Sequence, residues 1–520
     1  MITATFDPAE LSDAWEQELA RLSTLGVVSR LWDGDHTVIQ EDPADAADRL
    51  GWLDAPVRAA SHWPRWALLA DEIVDGAGDQ EIGRIDTVLV LGMGGSSLFP
   101  EVLAETFEPD PAFPRVVVLD TTHPGAVARM AERCDPERTL VVVASKSGST
   151  IETRSHLEWF WARSPVGRNY VAITDPGSAL EALAHERGFR SVEHGVPEIG
   201  GRFSALSAFG MVPAALMGLD GSALLDTAEE AAEAMDEATP VEHHVGCQVG
   251  ALVAVAAAAG RDKLTFLIDE RLEALGAWLE QLIAESTGKH GVGVLPIVGE
   301  TVDAPDAEHR LYVVIGDHPA AGADLPGPSI RLAVEEPEDL GAQVYLWEWA
   351  TAVAGITLGI NPFDQPDVES AKRAARAVLS GDGGDAAAPA QVGSLDQALA
   401  LLREGDALAI CAFVDPAIEP ELQAARLALG RRAGVATTLG IGPRFLHSTG
   451  QLHKGGPDRL VVVQVVTDEG RDLDIPGESF SFGTLLQAQA DGDLAALTAA
   501  GKRAVRVPLA ELLAAGSPAD

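Results

Sequence analysis

Two short stretches concentrate groups that could hold an oxyanion. Residues 92–97 read Gly-Met-Gly-Gly-Ser-Ser, and residues 145–150 read Ser-Lys-Ser-Gly-Ser-Thr. The second puts four hydroxyls, one ammonium and one glycine into six positions, giving neutral donors for the oxygens and a cation for the charge. Each stretch follows an apolar run, VLVLG or TLVVVAS, and precedes a helix-like segment. Glycine there lets the backbone turn tightly and aim N–H groups inward at a helix N-terminus. For the first loop, a plain strand–helix turn would also explain the glycines, and a dinucleotide cradle competes, since Asp120 ends the next apolar run as a ribose-binding acid would. The dinucleotide pattern G-x-G-x-x-G, however, needs glycine where this chain has Ser97. A plain turn at 145–150 would favour Asn, Asp or Pro over a run of hydroxyls. A monophosphate held by serines and threonines is the economical inference.

The elements that must position these loops follow from the apolar texture. From Ile85, runs rich in β-branched residues (DTVLVLG, RVVVLD, TLVVVAS, YVAITD) alternate with helical stretches. Runs uninterrupted by polar residues mean strands buried on both faces of a parallel sheet, the doubly wound α/β pattern. Both loops then lie at C-terminal strand ends of one sheet, where ligands of open α/β folds sit. The N-terminal segment, residues 1–80, reads as amphipathic helices with Asp7 or Ser12 as caps. Residues 81–215 form the first α/β unit with the phosphate loops, and an Ala-rich helical region runs from Ser204 to Gly260. A second α/β region spans 216–380, with strands such as LTFLI, LYVVIG and SIRLAV. The Gly/Ala/Asp/Pro run GDGGDAAAPAQVG (381–393) reads as a linker. Beyond it, 394–520 alternate again (ALAICAFVD, ATTLGIG, RLVVVQVV, RAVRVPL), giving three α/β units in one chain.

Composition narrows the function classes. Across 520 residues the formal net charge is −42, which repels phosphate backbones and anionic lipid at long range, so neither nucleic acid nor a membrane is an expected partner. The same field makes a local concentration of donors necessary for any anionic metabolite. Three dispersed cysteines, Cys134, Cys247 and Cys411, form neither a disulfide framework nor a CxxC metal site. The N-terminus has no basic or apolar leader, and the longest apolar run falls short of the ~20 residues of a membrane span. A cytoplasmic location is expected.

Several longer motifs carry a family. GMGGSS, SKSGST, IGGRFSALSAFG (199–210), EQLIAESTGK (280–289) and NPFDQPDVESAK (361–372), in that order, resemble glucose-6-phosphate isomerase, and LGWLDAP (50–56) is similar to that family's short bacterial members. LIAESTGK and the later STGQLHKGGP look most like the isomerase part of bacterial transaldolase/glucose-6-phosphate isomerase fusions. A transaldolase barrel would not fit in the ~80 residues before the first sheet, so isomerase alone is expected. The resemblance implies sugar-isomerase (SIS) domains, interconversion of glucose 6-phosphate and fructose 6-phosphate, and no metal or organic cofactor. It also implies that Gly95 and Ser96, together with Ser145, Lys146, Ser147, Gly148, Ser149 and Thr150, bind the substrate, with the second loop taking the phosphate. Gln281 and Glu285 match the family's substrate glutamine and catalytic glutamate, and Lys372 matches the lysine ending its DQP motif.

The reaction needs such groups. Opening the ring and moving a proton between adjacent carbons through a cis-enediolate requires a carboxylate held away from bulk water, the role of Glu285. A cation must meet the developing oxyanion, where Arg202 of GGRFS resembles the family residue. Ring opening falls in the family to a histidine and the DQP-motif lysine. Taken singly, a Glu on an amphipathic helix or a Lys beside Arg373 would ordinarily be a solvated surface residue; inside these motifs the functional reading prevails.

The family's histidine precedes the DQP motif in a segment like L-H-S-x-G-Q, but here FLHSTGQLHKGGP (445–457) follows it. His447 is therefore expected to open the ring, with His453 as the second choice, and part of the second sugar-isomerase domain looks duplicated or relocated to the C-terminus. In the family dimer this histidine comes from the neighbouring subunit. A third unit carrying it in cis would permit a monomer, a homodimer being the other expectation. Asp367 stands where the family has Gly after DQP. The competing functions are a dual phosphoglucose/phosphomannose isomerase, a non-catalytic sugar-phosphate sensor and, disfavoured by Ser97, a nicotinamide enzyme.

Overall fold

The computed structural model describes residues 2–74, 85–367, 392–467 and 472–516. Most of the 381–393 linker and all of Lys372 lie outside the described residues. Among the described residues three sheets form the framework. In the first, Arg115–Leu119, Thr87–Leu91, Thr139–Ala144, Tyr170–Thr174 and Ser191–His194 lie side by side, all parallel. The second runs Ala4–Asp7, Ser329–Leu332, Arg310–Ile315, Lys263–Ile268, Leu295–Ile297, parallel except for its first strand. In the third, Ala436–Ile441, Ala407–Phe413, Leu460–Val466 and Arg503–Arg506 are again parallel.

Numbered by chain order within each sheet, the first and third sheets both begin with the order 2-1-3-4. That order reverses between its first and third strands, the switch point at which such sheets open a crevice. In the first sheet the two strands are Thr87–Leu91 and Thr139–Ala144, hydrogen-bonded to each other. The loops that follow them are residues 92–97 and 145–150.

Burial on both faces explains why the strands read as unbroken apolar runs. Val88 and Val90 face a core shared with helices Ala55–Val74, Ala208–Leu216, Val245–Ala258 and Leu340–Leu358, while Leu89 and Leu91 face a second core. Ile475, Phe482 and Leu485 of the C-terminal region complete that second core. Another cluster joins the third sheet to Ala284, Leu295 and Ile297 of the second region. The C-terminal unit is thus packed against both others.

The N-terminal segment is not wholly helical: Ala4–Asp7 forms an antiparallel edge strand on Ser329–Leu332 before the helix Ser12–Leu25 begins. With one face half-buried and the other exposed, four residues give too little alternation to stand out. Asp7 accepts from the Ala9 N–H at 3.2 Å, so it caps the intervening turn; the helix itself has no side-chain cap. Ser191–His194 and Leu295–Ile297 are two further strands that the apolar runs do not reveal, one half-polar at a sheet edge and the other three residues long with a central proline. Among the described residues no helix is long and apolar enough to cross a membrane.

Candidate active site

The helix Leu275–Thr287 brings Gln281 and Glu285, one turn apart, onto the same face. Gln281 Nε2 donates to Glu285 Oε2 at 3.2 Å and to the His447 carbonyl at 2.8 Å. Its Oε1 is buried with no hydrogen-bond partner among the described residues, an acceptor that a ligand hydroxyl could pair. Glu285 Oε1 lies 3.4 Å from Arg202 Nη1, and both side chains are buried. Arg202 is fixed from behind: Nε donates to Ser286 Oγ at 2.7 Å, and Nη2 to the carbonyls of Pro362 and Asp364. Burial pulls its guanidinium below the ordinary value, against the opposing charges of Glu285 and Asp364.

The first glycine loop approaches this group closely. A Cβ on Gly95 would stand 1.9 Å from the Gly201 carbonyl, so no other residue fits beside the Arg202 turn. Ser96 is nearly buried in the same turn. Next to it, Gly94 (φ +56°) lies against Gln281 Nε2 and the His447 backbone.

In the second loop Ser145 and Thr150 hydroxyls stand 3.2 Å apart, those of Ser147 and Ser149 2.7 Å apart, and the Gly148 N–H donates to Ser145 Oγ. Gly148 takes φ +68° with its Cα against Leu180, a conformation and a space closed to a side chain. The loop opens the helix Ile151–Trp161, whose cap residue Thr150 makes no side-chain capping bond and whose first turn carries Glu152. Lys146 is directed elsewhere: its ammonium donates to Asp175 at 2.8 Å and to the Val196 carbonyl at 3.0 Å, and burial lowers its pKa despite Asp175.

His447 reaches the site from the third unit. Its Nε2 is 2.9 Å from Glu152 Oε1, and Gln489 Nε2 donates to that same oxygen at 2.6 Å while its Oε1 accepts from Thr122. Burial raises the Glu152 carboxyl, yet the His447 charge and hydrogen bond bring it net below the usual range. Sequence reasoning assigned Glu152 no role; its nearness to a phosphate loop was the sole signal. His453 instead lies in the third unit's interior, beside Phe445 and 3.7 Å from Cys411 Sγ, with burial depressing its pKa to about 3. Gln451 pairs with Asp367, donating to its carboxylate at 2.6 Å and accepting from its N–H at 3.0 Å. The residue where the family has Gly therefore ties the DQP turn to the LHSTGQ segment. Asp120, the competing ribose acid, is held by Arg444, with Nε to Oδ2 at 2.7 Å and Nη2 to Oδ1 at 3.0 Å.

Gly95, Ser96, Arg202, Gln281, Glu285 and His447 are thus linked directly, and the 145–150 loop joins them through Glu152. Residues 67–308 match the family described as Phosphoglucose isomerase. A glucose-6-phosphate isomerase of Rubrobacter xylanophilus is 31% identical over 355 residues, covering 56% of this chain and 82% of the relative. That of Thermosynechococcus vestitus is 31% identical over 357 residues, covering 57% and 66%. The crystal structure of a glucose-6-phosphate isomerase from Chlamydia trachomatis shares the fold, with TM-score 0.60 and 20% identity over 74% of this chain and 89% of that one. A hypothetical protein from Thermus thermophilus has TM-score 0.56 and 25% identity, covering 73% of this chain and 100% of that chain. With that degree of identity over most of a relative's length, the chain belongs to the phosphoglucose isomerase family.

Proposed function

We propose that the protein interconverts glucose 6-phosphate and fructose 6-phosphate in the cytoplasm, by proton transfer through a cis-enediolate. The observation that carries this reading is a buried carboxylate, Glu285, set 3.4 Å from a buried guanidinium, Arg202, beside an unpartnered amide acceptor on Gln281. The substrate phosphate lies at the hydroxyls of residues 145–150 and the N-terminal N–H groups of the helix behind them. His447, oriented by Glu152, exchanges the proton between ring oxygen and anomeric hydroxyl, and Lys372 assists on the strength of its motif. In the opened sugar Glu285 removes the proton from C2 and the C–H electron pair enters the enediolate; the hydroxyl proton on O2 passes to O1, and the same carboxyl returns its proton to C1. Arg202 stabilises the oxygen that becomes negative. Substrate electrons are rearranged with no net oxidation, so these side chains balance the reaction.

The test is conversion of fructose 6-phosphate by EDTA-treated protein, wild type beside Glu285→Gln. Turnover that persists after chelation and falls about 10²- to 10⁴-fold in the variant is expected for loss of a general base. Absent turnover in the wild type, or an unimpaired variant, would overturn the reading.

A further inference from the structure

Lys289 is a buried cation to which the mechanism above gives no task. It follows the Glu285 helix, its side chain is fully enclosed, and its ammonium donates to the carbonyls of Asn361 and Asp364, each at 2.7 Å, and to Asp364 Oδ1 at 2.6 Å. Three N–H donors meet three acceptors with none left over. Arg202 serves the same turn through the carbonyls of Pro362 and Asp364. The two cations therefore share one turn, and the Asp364 carboxylate that Lys289 holds also lies within the electrostatic reach of Arg202. Were Lys289 absent, Asp364 would be a partly buried anion beside Arg202, drawing the guanidinium away from Glu285.

We propose that Lys289 is a positioning residue for the isomerisation, neutralising Asp364 and saturating the Asn361–Asp364 turn so that Arg202 Nη1 stays aimed at Glu285. It acts through Arg202 and touches no substrate atom. The proposal rests on the isomerase reading.

The geometry implies a pH signature. The charged groups facing Lys289 are Arg202 from the turn Gly201–Phe203, Asp364 from its own turn and Glu285 from the helix; burial and then Arg202 bring its pKa down to about 8. Below that pH the ammonium is intact. As pH rises through it, one of the three donors is lost, Asp364 turns to Arg202, and turnover falls while substrate affinity changes less. Lys289→Arg cannot titrate in this range, and Asp364→Asn keeps an acceptor oxygen but removes the charge that favours the ammonium.

The experiment is the pH dependence of kcat and of KM for fructose 6-phosphate from about pH 6 to 10, for wild type, Lys289→Arg and Asp364→Asn. Expected are an alkaline limb in wild-type kcat, its disappearance in folded Lys289→Arg with kcat at neutral pH lowered about 3- to 30-fold, and in Asp364→Asn, where no carboxylate remains to turn to Arg202, a shallower limb displaced to lower pH. If Lys289→Arg does not fold, Asp364→Asn decides. An active wild type without an alkaline limb, or a limb unmoved in the folded variants, overturns this inference and leaves the isomerase reading standing. A wild type without turnover removes both.

Discussion

The first and third sheets share the strand order 2-1-3-4 and put their strand ends to opposite uses. In the first, the loops at the order reversal are rich in glycines and hydroxyls. In the third, the corresponding first strand, Ala407–Phe413, is followed by Asp415, which binds Arg129 of the first unit with Nη1 to Oδ2 at 2.6 Å. The third unit spends its strand end on docking rather than on a ligand. Its contribution comes one loop further, where Arg444 and His447 leave the strand Ala436–Ile441. Arg444 grips Asp120 and Glu101, and three residues later His447 meets Glu152. Two sheets of like strand order thus carry loops of different chemistry, and in the proposed reading those loop residues separate a phosphate site from the segment that brings His447.

If docking delivers the histidine, breaking the dock should do the greatest damage. Arg444→Met removes the partner of Asp120, which is itself 6% exposed, and of Glu101. Because Arg444 is 29% exposed, the cost should fall near the low end for breaking a buried ion pair, about 3 kcal/mol. Denaturant unfolding should show that loss, with isomerase activity declining before the first sheet melts. A change under about 1 kcal/mol, the range of a surface pair, would mean that apolar packing at Phe482 and Leu485 alone holds the units together.

Glu152→Gln is the subtler cut. It leaves the side chain's shape and one acceptor but removes the charge opposite His447. Loss of a charge-assisted hydrogen bond is worth about 2 kcal/mol, so kcat should fall about 10- to 100-fold while the unfolding midpoint moves little. Unchanged kcat would show that His447 needs no partner from the first unit.

How much of this was legible beforehand follows from where the information is local. The central strands read clearly because both faces of each are buried, and the two loops read clearly because hydroxyls and glycines fall within six residues. The short edge strands did not, since Ala4–Asp7 owes its existence to a partner more than three hundred residues away. Glu152 was missed for the same reason: a glutamate in the first turn of a helix is an ordinary complement to the dipole, and its partner lies 295 residues on. Lys146 shows the reverse case, a cation whose sequence position promises the loop but whose ammonium is taken by Asp175.

The central claim is that one chain assembles the whole site, with its own third unit supplying the histidine. Mixing tests it most directly: Glu285→Gln and His447→Ala are co-expressed, purified together and assayed beside each alone. If both groups of a site come from one chain, every site in the mixture carries one lesion, and activity stays at the level of the single variants. If the histidine crosses between subunits, mixed dimers hold one intact site, and activity rises toward roughly a quarter of wild type. That rise would contradict the account.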